Sequence, residues 1–298
     1  MQMDEDIVVF CENGKISLKN KDICKFLLME SIQFIALNVS CYDNISCNDE
    51  LKIAFANTTS LTSITIDYTG IYSNKDGMAI KINEICKCLC ESQNKSLKQL
   101  VTIIENDNFN LVVTFPFEKM ICNSMTLKEI HIGTNILPAI ECLIENKSIE
   151  IVKLEGNLNR TECSFTLQNL LEKLILTNKT INQLTVCVGN VQGFSKKVYN
   201  AFKYNKTITN LTFNRIPNKK GCKILMEVLH KNKTLENIIC EYKFEKNRKE
   251  NNIYWLCIQN RLNGIKELKK QFAKKYLDFF ASYQILPMIN IINEYIGL

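Results

Sequence analysis

Residues 224–240, ILMEVLHKNKTLENIIC, change their hydrophobic period in the middle. Ile224, Leu225, Val228 and Leu229 recur every three or four positions, which is typical of one face of a helix. After N-K-T-L, apolar residues fall three and five positions beyond the leucine, and that spacing puts two side chains on one face of a strand. The stretch therefore predicts a helix, a short turn and a short strand.

The same phrase recurs along the chain. The form N-K-[ST]-[LI] starts at Asn94, Asn146, Asn178, Asn205 and Asn232. Eight apolar residues begin an L-x-x-L-x-L pattern with a mean interval of 29 residues: Ile32, Leu61, Leu97, Leu127, Ile149, Ile181, Ile208 and Leu235. One helix–strand unit cannot bury its apolar face alone, so neighbouring units are expected to stack into a solenoid with parallel strands.

This pattern resembles the leucine-rich repeats of the ribonuclease-inhibitor-like class over residues 22–242. The resemblance implies an α/β horseshoe with parallel strands on its concave face and helices on its convex face. The full signature ending in asparagine is met only at Leu127–Asn135 and Ile149–Asn157, so the repeats are divergent and the asparagine ladder of that class is expected to be mostly missing. The Asn, Ile and Lys content fits an AT-rich genome, such as that of a large DNA virus.

The turn and the two ends of the array carry further expectations. Asparagine tolerates the left-handed conformation that ends helices, and the lysine after it complements the helix dipole. The interval between the anchor residues Leu127 and Ile149 is only 22 residues. It leaves room for a short helix, which is predicted to start at Pro138. Residues 1–21 are predicted to form an N-terminal cap hairpin, and residues 243–298 a basic, helical C-terminal cap.

The composition favours an intracellular protein. The start, MQMDEDIVVF, is acidic where a signal peptide is basic, and no apolar run is long enough to span a membrane. The 14 cysteines are scattered, which favours reduced, buried thiols, and the recurring N-K-[ST] sites are explained by the repeat rather than by glycosylation. A cytoplasmic location follows as the expectation.

The sequence offers little material for catalysis. It holds two histidines, His131 on a predicted strand and His230 at a predicted helix end, and neither has a neighbouring triad or metal-ligand pattern. No phosphate-binding glycine loop or zinc-protease motif is present. The prediction is a non-enzymatic protein without cofactor, metal or small-molecule substrate.

The outward-facing strand residues are the predicted binding surface for an unidentified protein partner. Positions two, four and six after each anchor residue face outward, and the predicted site comprises Thr65, Val101, His131, Lys153, Thr185, Thr212, Gln99, Glu129, Gln183 and Asn210. This face is polar and nearly uncharged, so nucleic acid is an unlikely ligand for it. The prediction is a scaffold for protein–protein interaction, and a solvated face without a partner is the alternative.

The C-terminal segment suggests other partners. LPMINIINEYIGL resembles the opening of F-box-like motifs, which implies contact with a Skp-type ubiquitin-ligase adaptor through Leu286, Pro287, Ile289, Ile292 and Tyr295. A Pro-started capping helix gives the same pattern.

A basic stripe and a third resemblance complete these alternatives. Lys266, Lys270 and Lys274 form a stripe that either contacts anionic lipid or nucleic acid or is the solvated face of the cap. The N-K-T-L phrasing is also similar to the repeat domain of actin pointed-end cappers, but the chain shows no counterpart of their actin- and tropomyosin-binding N-terminal region.

Overall fold

The structure is a computed structural model in which part of the chain is described. The described residues are 34–38, 49–67, 87–89, 91–92, 94–103, 118–133, 136–157, 161–189, 194–215, 217–242, 258–264, 266–267, 269–271 and 274. The strands are β1 (Phe34–Asn38), β2 (Ser63–Asp67), β3 (Gln99–Ile103), β4 (Glu129–Ile132), β5 (Ile151–Asn157), β6 (Gln183–Gly189), β7 (Asn210–Arg215) and β8 (Asn237–Tyr242). The helices are α1 (Asp49–Asn57), α2 (Glu118–Asn123), α3 (Ile136–Glu145), α4 (Thr161–Thr177), α5 (Lys196–Ala201) and α6 (Lys219–Lys231).

The strands form one sheet in which each strand pairs in parallel with the next strand along the chain, in the order β1 to β8. The helices α2 to α6 form a second layer, each packed on its neighbour. Helices need about 8–10 Å between their axes, whereas strands need about 4.8 Å, so the stack curves with its strands inside. The predicted α/β leucine-rich repeat solenoid is confirmed.

The core lies between the two layers and follows the predicted positions. The anchor residues from Leu61 to Leu235 are buried, and so are the residues three positions after each of them. Five positions after Leu97 the core holds a threonine instead of a large apolar residue. Thr102 Oγ1 donates to the carbonyl of His131 (3.2 Å) and accepts from the amide of Gly133 (3.0 Å), so this buried hydroxyl is satisfied by the next repeat.

The asparagine of the recurring tetrapeptide joins each repeat to the one before it. Its Nδ2 donates to the carbonyl of a residue near the end of the preceding helix, at 2.5–2.8 Å. Its Oδ1 accepts from the main-chain amide three positions later in its own turn, at 2.7–2.9 Å. We call this set the asparagine ladder; its members are Asn94, Asn146, Asn178, Asn205 and Asn232.

The ladder gives the repeated asparagine a structural role. Four of its five members are 3–4 % exposed, so as N-x-[ST] sites they leave no room for a glycan in the folded chain. The lysines that follow them are all exposed. The sequence places a ladder eight positions after each anchor residue and expects it to be sparse. The structure shows a ladder three positions before the anchor residue, with asparagine in five of the seven described turns and Thr58 and Ser124 in the other two.

Two local predictions are wrong. Asn232, which ends α6, has φ −80° and ψ 121°, so it is extended and not left-handed. The amides of Thr234 and Leu235, just after the helix, have no helical carbonyl to donate to. They donate instead to the side-chain oxygen of Asn232. The short helix α3 begins at Ile136, two residues before Pro138. Proline still lies in the first turn, where its missing amide hydrogen costs no helical hydrogen bond.

Several other predictions fall outside the described residues. They are the hairpin of residues 1–21, the boundary after residue 242, and the adaptor-like residues Leu286, Pro287, Ile289, Ile292 and Tyr295. Within the described part, Cys88, Cys142 and Cys222 are buried thiols, whereas Cys122 is exposed. No helix in that part is long and apolar enough to cross a membrane.

Candidate functional site

The exposed face of the sheet carries the predicted central row in register. The pairing of consecutive strands aligns one residue from each strand, and the aligned residues are Ala36, Thr65, Val101, His131, Lys153, Thr185, Thr212 and Ile239. From Thr65 onward these side chains are half-buried or exposed, while both neighbours of each along its strand, where described, point into the core. The register therefore brings the six predicted central residues into one continuous line.

A second row runs beside the first and is linked by hydrogen bonds at both ends. It contains Ser63, Gln99, Glu129, Ile151, Gln183, Asn210 and Asn237. Ser63 Oγ donates to Gln99 Oε1 at 2.6 Å, and Asn237 Nδ2 donates to Asn210 Oδ1 at 2.5 Å. Cross-strand pairs of this kind fix side-chain directions, so Gln99 and Asn210 are held in place on this surface.

A charge cluster occupies the middle of the face. His131 Nε2 lies 2.5 Å from Glu155 Oε2, and Lys153 Nζ lies 2.7 Å from Glu155 Oε1. An ionised carboxylate only accepts hydrogen bonds, so Nε2 carries the proton in this arrangement. The two donors share one acceptor group, and the three side chains hold each other in fixed positions on β4 and β5.

The electrostatics of the cluster depend on Glu155. The hydrogen bond from His131, together with the one from Lys153, lowers the pKa of Glu155 from 4.5 to about 2, although partial burial acts in the opposite direction. The carboxylate is therefore ionised at every physiological pH. Its side chain is about one-third exposed, so water still reaches it.

The sequence places Glu155 on the outward face, six positions after its anchor residue, but does not include it in the predicted site. The pattern does place Glu155 near the other two residues of the cluster. It lies two positions after Lys153 on the same face of β5, and Lys153 pairs with His131 on β4. Diagonal neighbours across a sheet are within reach of long side chains. The register brings three of the few charged side chains of the face together at its centre.

Outside this cluster the two rows carry one charged residue, Glu129, and otherwise uncharged polar and apolar side chains. Val101 and Ile151 are half-buried on β3 and β5, and Ile239 is 54 % exposed on β8. None of the described side chains in the two rows is aromatic. The face therefore offers a partner hydrogen-bonding groups, a central ion cluster and scattered aliphatic contacts.

The helical residues 258–264, together with Lys266 and Lys269, contact the last repeat. Ile258 and Leu262 are buried in the core, and Gln259 Nε2 donates to the carbonyl of Ile238 at 2.8 Å. Lys266 donates to Asn237, and Lys269 pairs with Glu236. This confirms a helical C-terminal cap and gives two of its lysines a structural role at β8.

The rest of the predicted lysine stripe is exposed. Lys270 and Lys274 have solvated side chains on the described part of the cap. The stripe is thus divided between contact with the repeat array and solvent, and its contact with lipid or nucleic acid stays a prediction.

The histidines and acidic groups form no metal-binding group among the described residues. His230 is exposed in the last turn of α6. The Nε2 of His131 is hydrogen-bonded to the carboxylate of Glu155. The described arrangement is suited to binding by hydrogen bonds and charge.

Comparison with known proteins gives structural likenesses only. No protein-family model matches the chain, and no curated protein matches it significantly. Among solved structures, the leiomodin-1 actin-binding site 2 is similar with 15 % identity and a TM-score of 0.37, over 57 % of this chain and 99 % of that one. The tropomodulin C-terminal domain of Caenorhabditis elegans is similar with 11 % identity and a TM-score of 0.25, over 75 % of this chain and 97 % of that one. At these values the likenesses say nothing about what this chain binds.

Proposed function

We propose that this protein is a non-enzymatic scaffold that binds another protein through the exposed face of its sheet. The observation that carries the proposal is the line of outward side chains from Thr65 on β2 to Ile239 on β8, with His131, Lys153 and Glu155 at its centre. A surface built by repetition and left open to solvent is the usual binding surface of solenoid proteins.

The size of the line supports a macromolecular partner. Six strand spacings of about 4.8 Å give a row roughly 29 Å long. A small molecule would contact a fraction of that length, whereas a protein interface of ordinary size matches it.

The charge of the line supports a protein rather than a nucleic acid. The central row contains one lysine, Lys153, and its charge is neutralised by Glu155. Affinity for nucleic acid depends on several cations that neutralise phosphates, and the two rows do not supply them.

Substitution at the centre of the face tests the proposal. Lys153→Glu replaces an ion pair by two adjacent carboxylates, and Thr185→Arg adds a long cation on the next strand of the same row. The double variant should lose at least about tenfold of its affinity, which is about 1.4 kcal/mol, for the partner isolated from the native host with the wild-type chain. Circular dichroism and thermal unfolding check that the solenoid is intact.

Lys173→Glu is the matched control, because Lys173 is exposed on α4, on the helical side of the solenoid. It makes the same charge change as Lys153→Glu alone, which is −2 against −1 for the double variant, and should leave partner affinity unchanged. Equal affinity of the double variant and the wild type would refute binding through the strand face. A loss that is equally large in the control would show that net charge, not the face, decides binding.

The adaptor hypothesis requires a separate variant. Deletion of residues 285–298 should remove Skp and cullin components from the isolated proteins if that segment is an adaptor motif. Retention of those components, or their absence from the wild-type isolate, would contradict it.

A further inference from the structure

The turns that lead from each helix to the next strand stack directly on one another along one edge of the solenoid. At four steps the side-chain amide of a ladder asparagine donates to the carbonyl at the ladder position of the preceding turn, at 2.9–3.3 Å. We call this surface the turn edge; its described residues are 57–60, 94–96, 123–126, 145–148, 177–180, 204–207 and 231–234. The turn edge is separate from the exposed face of the sheet, because its residues precede the strands.

The turn edge is strongly basic. The residue after each ladder asparagine is an exposed lysine, and Lys231 adds another exposed lysine just before Asn232. The lysines that follow the ladder asparagines are Lys95, Lys147, Lys179, Lys206 and Lys233. Against these six lysines, the described residues of the turn edge include one carboxylate, that of Glu145. Strands lie about 4.8 Å apart and helices about 8–10 Å apart, so the lysines of consecutive turns start from main-chain positions roughly 5–10 Å apart.

The fold supplies few partners for these lysines. Lys179 Nζ donates to the carbonyl of Leu176 at the end of α4, at 3.1 Å. Within the part of the chain that the structure describes, the other five lysines of the turn edge form no hydrogen bond or ion pair through their side chains. Like charges at a spacing near the Debye length of about 8 Å are only partly screened from one another, so an anionic partner would stabilise the row.

Exposed apolar side chains lie among the lysines. Met125 takes the lysine position in its turn and is 80 % exposed, and Tyr204, just before Asn205, is 69 % exposed. Leu176, beside the turn edge in the last turn of α4, is 39 % exposed. These are three of the six large apolar side chains that are exposed in the described residues. An apolar side chain gains free energy when it leaves water for an apolar medium, so their position favours a partner that has an apolar layer as well as negative charge.

We propose that the turn edge binds the surface of a membrane that contains anionic lipid. The lysines contact the anionic headgroups, and Met125 and Tyr204 enter the boundary between the headgroups and the acyl chains. Basic residues combined with apolar and aromatic side chains on one surface hold peripheral proteins at anionic membranes. Single-stranded nucleic acid is favoured less, because its binding sites stack successive bases on aromatic side chains and the described turns carry one aromatic residue, Tyr204.

Vesicle sedimentation tests the proposal with the full-length chain. At physiological ionic strength, vesicles of phosphatidylcholine with about 30 % phosphatidylserine should bind the protein at least about tenfold more strongly than vesicles of phosphatidylcholine alone. The triple variant Lys147→Gln/Lys179→Gln/Lys206→Gln should bind the phosphatidylserine vesicles about a hundredfold more weakly, because each lysine near an anionic surface contributes about fivefold. The three side chains are exposed, and circular dichroism checks that the variant is folded.

The matched control removes the same charge from the opposite ends of the helices. Lys196, Lys197 and Lys220 are exposed in the first turns of α5 and α6, whereas the turn edge follows the last turns of these helices. Charges farther from the membrane than a Debye length of about 8 Å are largely screened. The variant Lys196→Gln/Lys197→Gln/Lys220→Gln should therefore bind the phosphatidylserine vesicles as the wild type does.

Two further measurements distinguish a membrane from another polyanion. Met125→Ser/Tyr204→Ser keeps the charge of the turn edge and should weaken binding to the phosphatidylserine vesicles at least about fivefold, because the apolar contact is lost. Single-stranded oligodeoxythymidylate, added at a nucleotide concentration equal to that of phosphatidylserine, should leave the wild type on the vesicles, since it offers charge without an apolar layer.

The proposal is overturned by any of five results. They are equal binding to both kinds of vesicle, undiminished binding of the triple variant at the turn edge, an equal loss in the control variant, undiminished binding of Met125→Ser/Tyr204→Ser, and displacement by the oligonucleotide, which would assign the turn edge to nucleic acid. Because none of the substituted residues lies on the strand face, these results leave the proposed protein-binding function unaffected.

Discussion

Removal of one ladder asparagine should destabilise the solenoid strongly. Asn178 is 4 % exposed, and its Nδ2 donates to the carbonyls of Leu143 (2.8 Å) and Asn146 (3.0 Å). Its Oδ1 accepts from the amides of Thr180 and Ile181, each at 2.9 Å. Four hydrogen bonds, three of them buried, at about 1 kcal/mol each give a loss of about 4 kcal/mol for Asn178→Ala. That is a large part of the 5–15 kcal/mol typical of a domain.

Urea unfolding followed by circular dichroism measures this loss, and hydrogen exchange locates it. The amides of Thr180 and Ile181 should exchange faster in Asn178→Ala, because they lose their acceptor. Asn178→Ser should cost about half as much, since a serine hydroxyl at this position can still accept from the turn, as Ser124 does.

Lys179→Ala, at the exposed neighbouring position, is the control and should change the free energy of unfolding by less than about 0.5 kcal/mol. A loss below about 1 kcal/mol for Asn178→Ala would refute the reasoning, since it would mean that the ladder contributes little to the joining of repeats.

Three further predictions concern other sites. Ser124→Asn should raise the free energy of unfolding by about 1–2 kcal/mol in the same urea assay, because its Nδ2 gains the acceptors that the other ladder steps use; no gain would contradict this. Because the folded pKa of Glu155 is about 2 and its ordinary value is 4.5, its stabilising effect is present above pH 4.5 and is lost as the pH falls toward 2. NMR titration should show the Glu155 pKa rising in His131→Ala, and an unchanged value would show that the hydrogen bond does not set it. Iodoacetamide at pH 8 should alkylate the exposed Cys122 well before Cys222, because burial raises the pKa of the Cys222 thiol to about 11; mass spectrometry of timed samples checks the order, and equal rates would contradict it.

Repetition explains why so much of the fold could be predicted. Each unit shows the same change from helical to strand period, so the alignment of eight copies gives the register of the whole sheet before any coordinate is known. The predicted pairing of His131 with Lys153, and of Lys153 with Thr185, is the observed pairing. The binding role of these residues stays a proposal, because register gives their position and not their partner.

The errors have a common cause. The start of α3 and the conformation of Asn232 depend on local hydrogen bonds, which the sequence pattern does not specify. The ladder was missed because Asn was interpreted within its own turn, whereas its Nδ2 reaches a repeat that lies about 30 positions earlier in the chain. Interactions between repeats need the stacked geometry before they can be recognised.

The sequence by itself determined the class of fold, the number and order of the strands, and the line of side chains on the exposed face, because hydrophobic period and repeat length are local properties of the chain. The tertiary structure decided which polar side chains meet. It brought Glu155 to His131 and Lys153 and gave the repeated asparagine its role between units. The physical reason is that hydrogen bonds and ion pairs act over about 3 Å, a distance that only the stacking of separate repeats establishes.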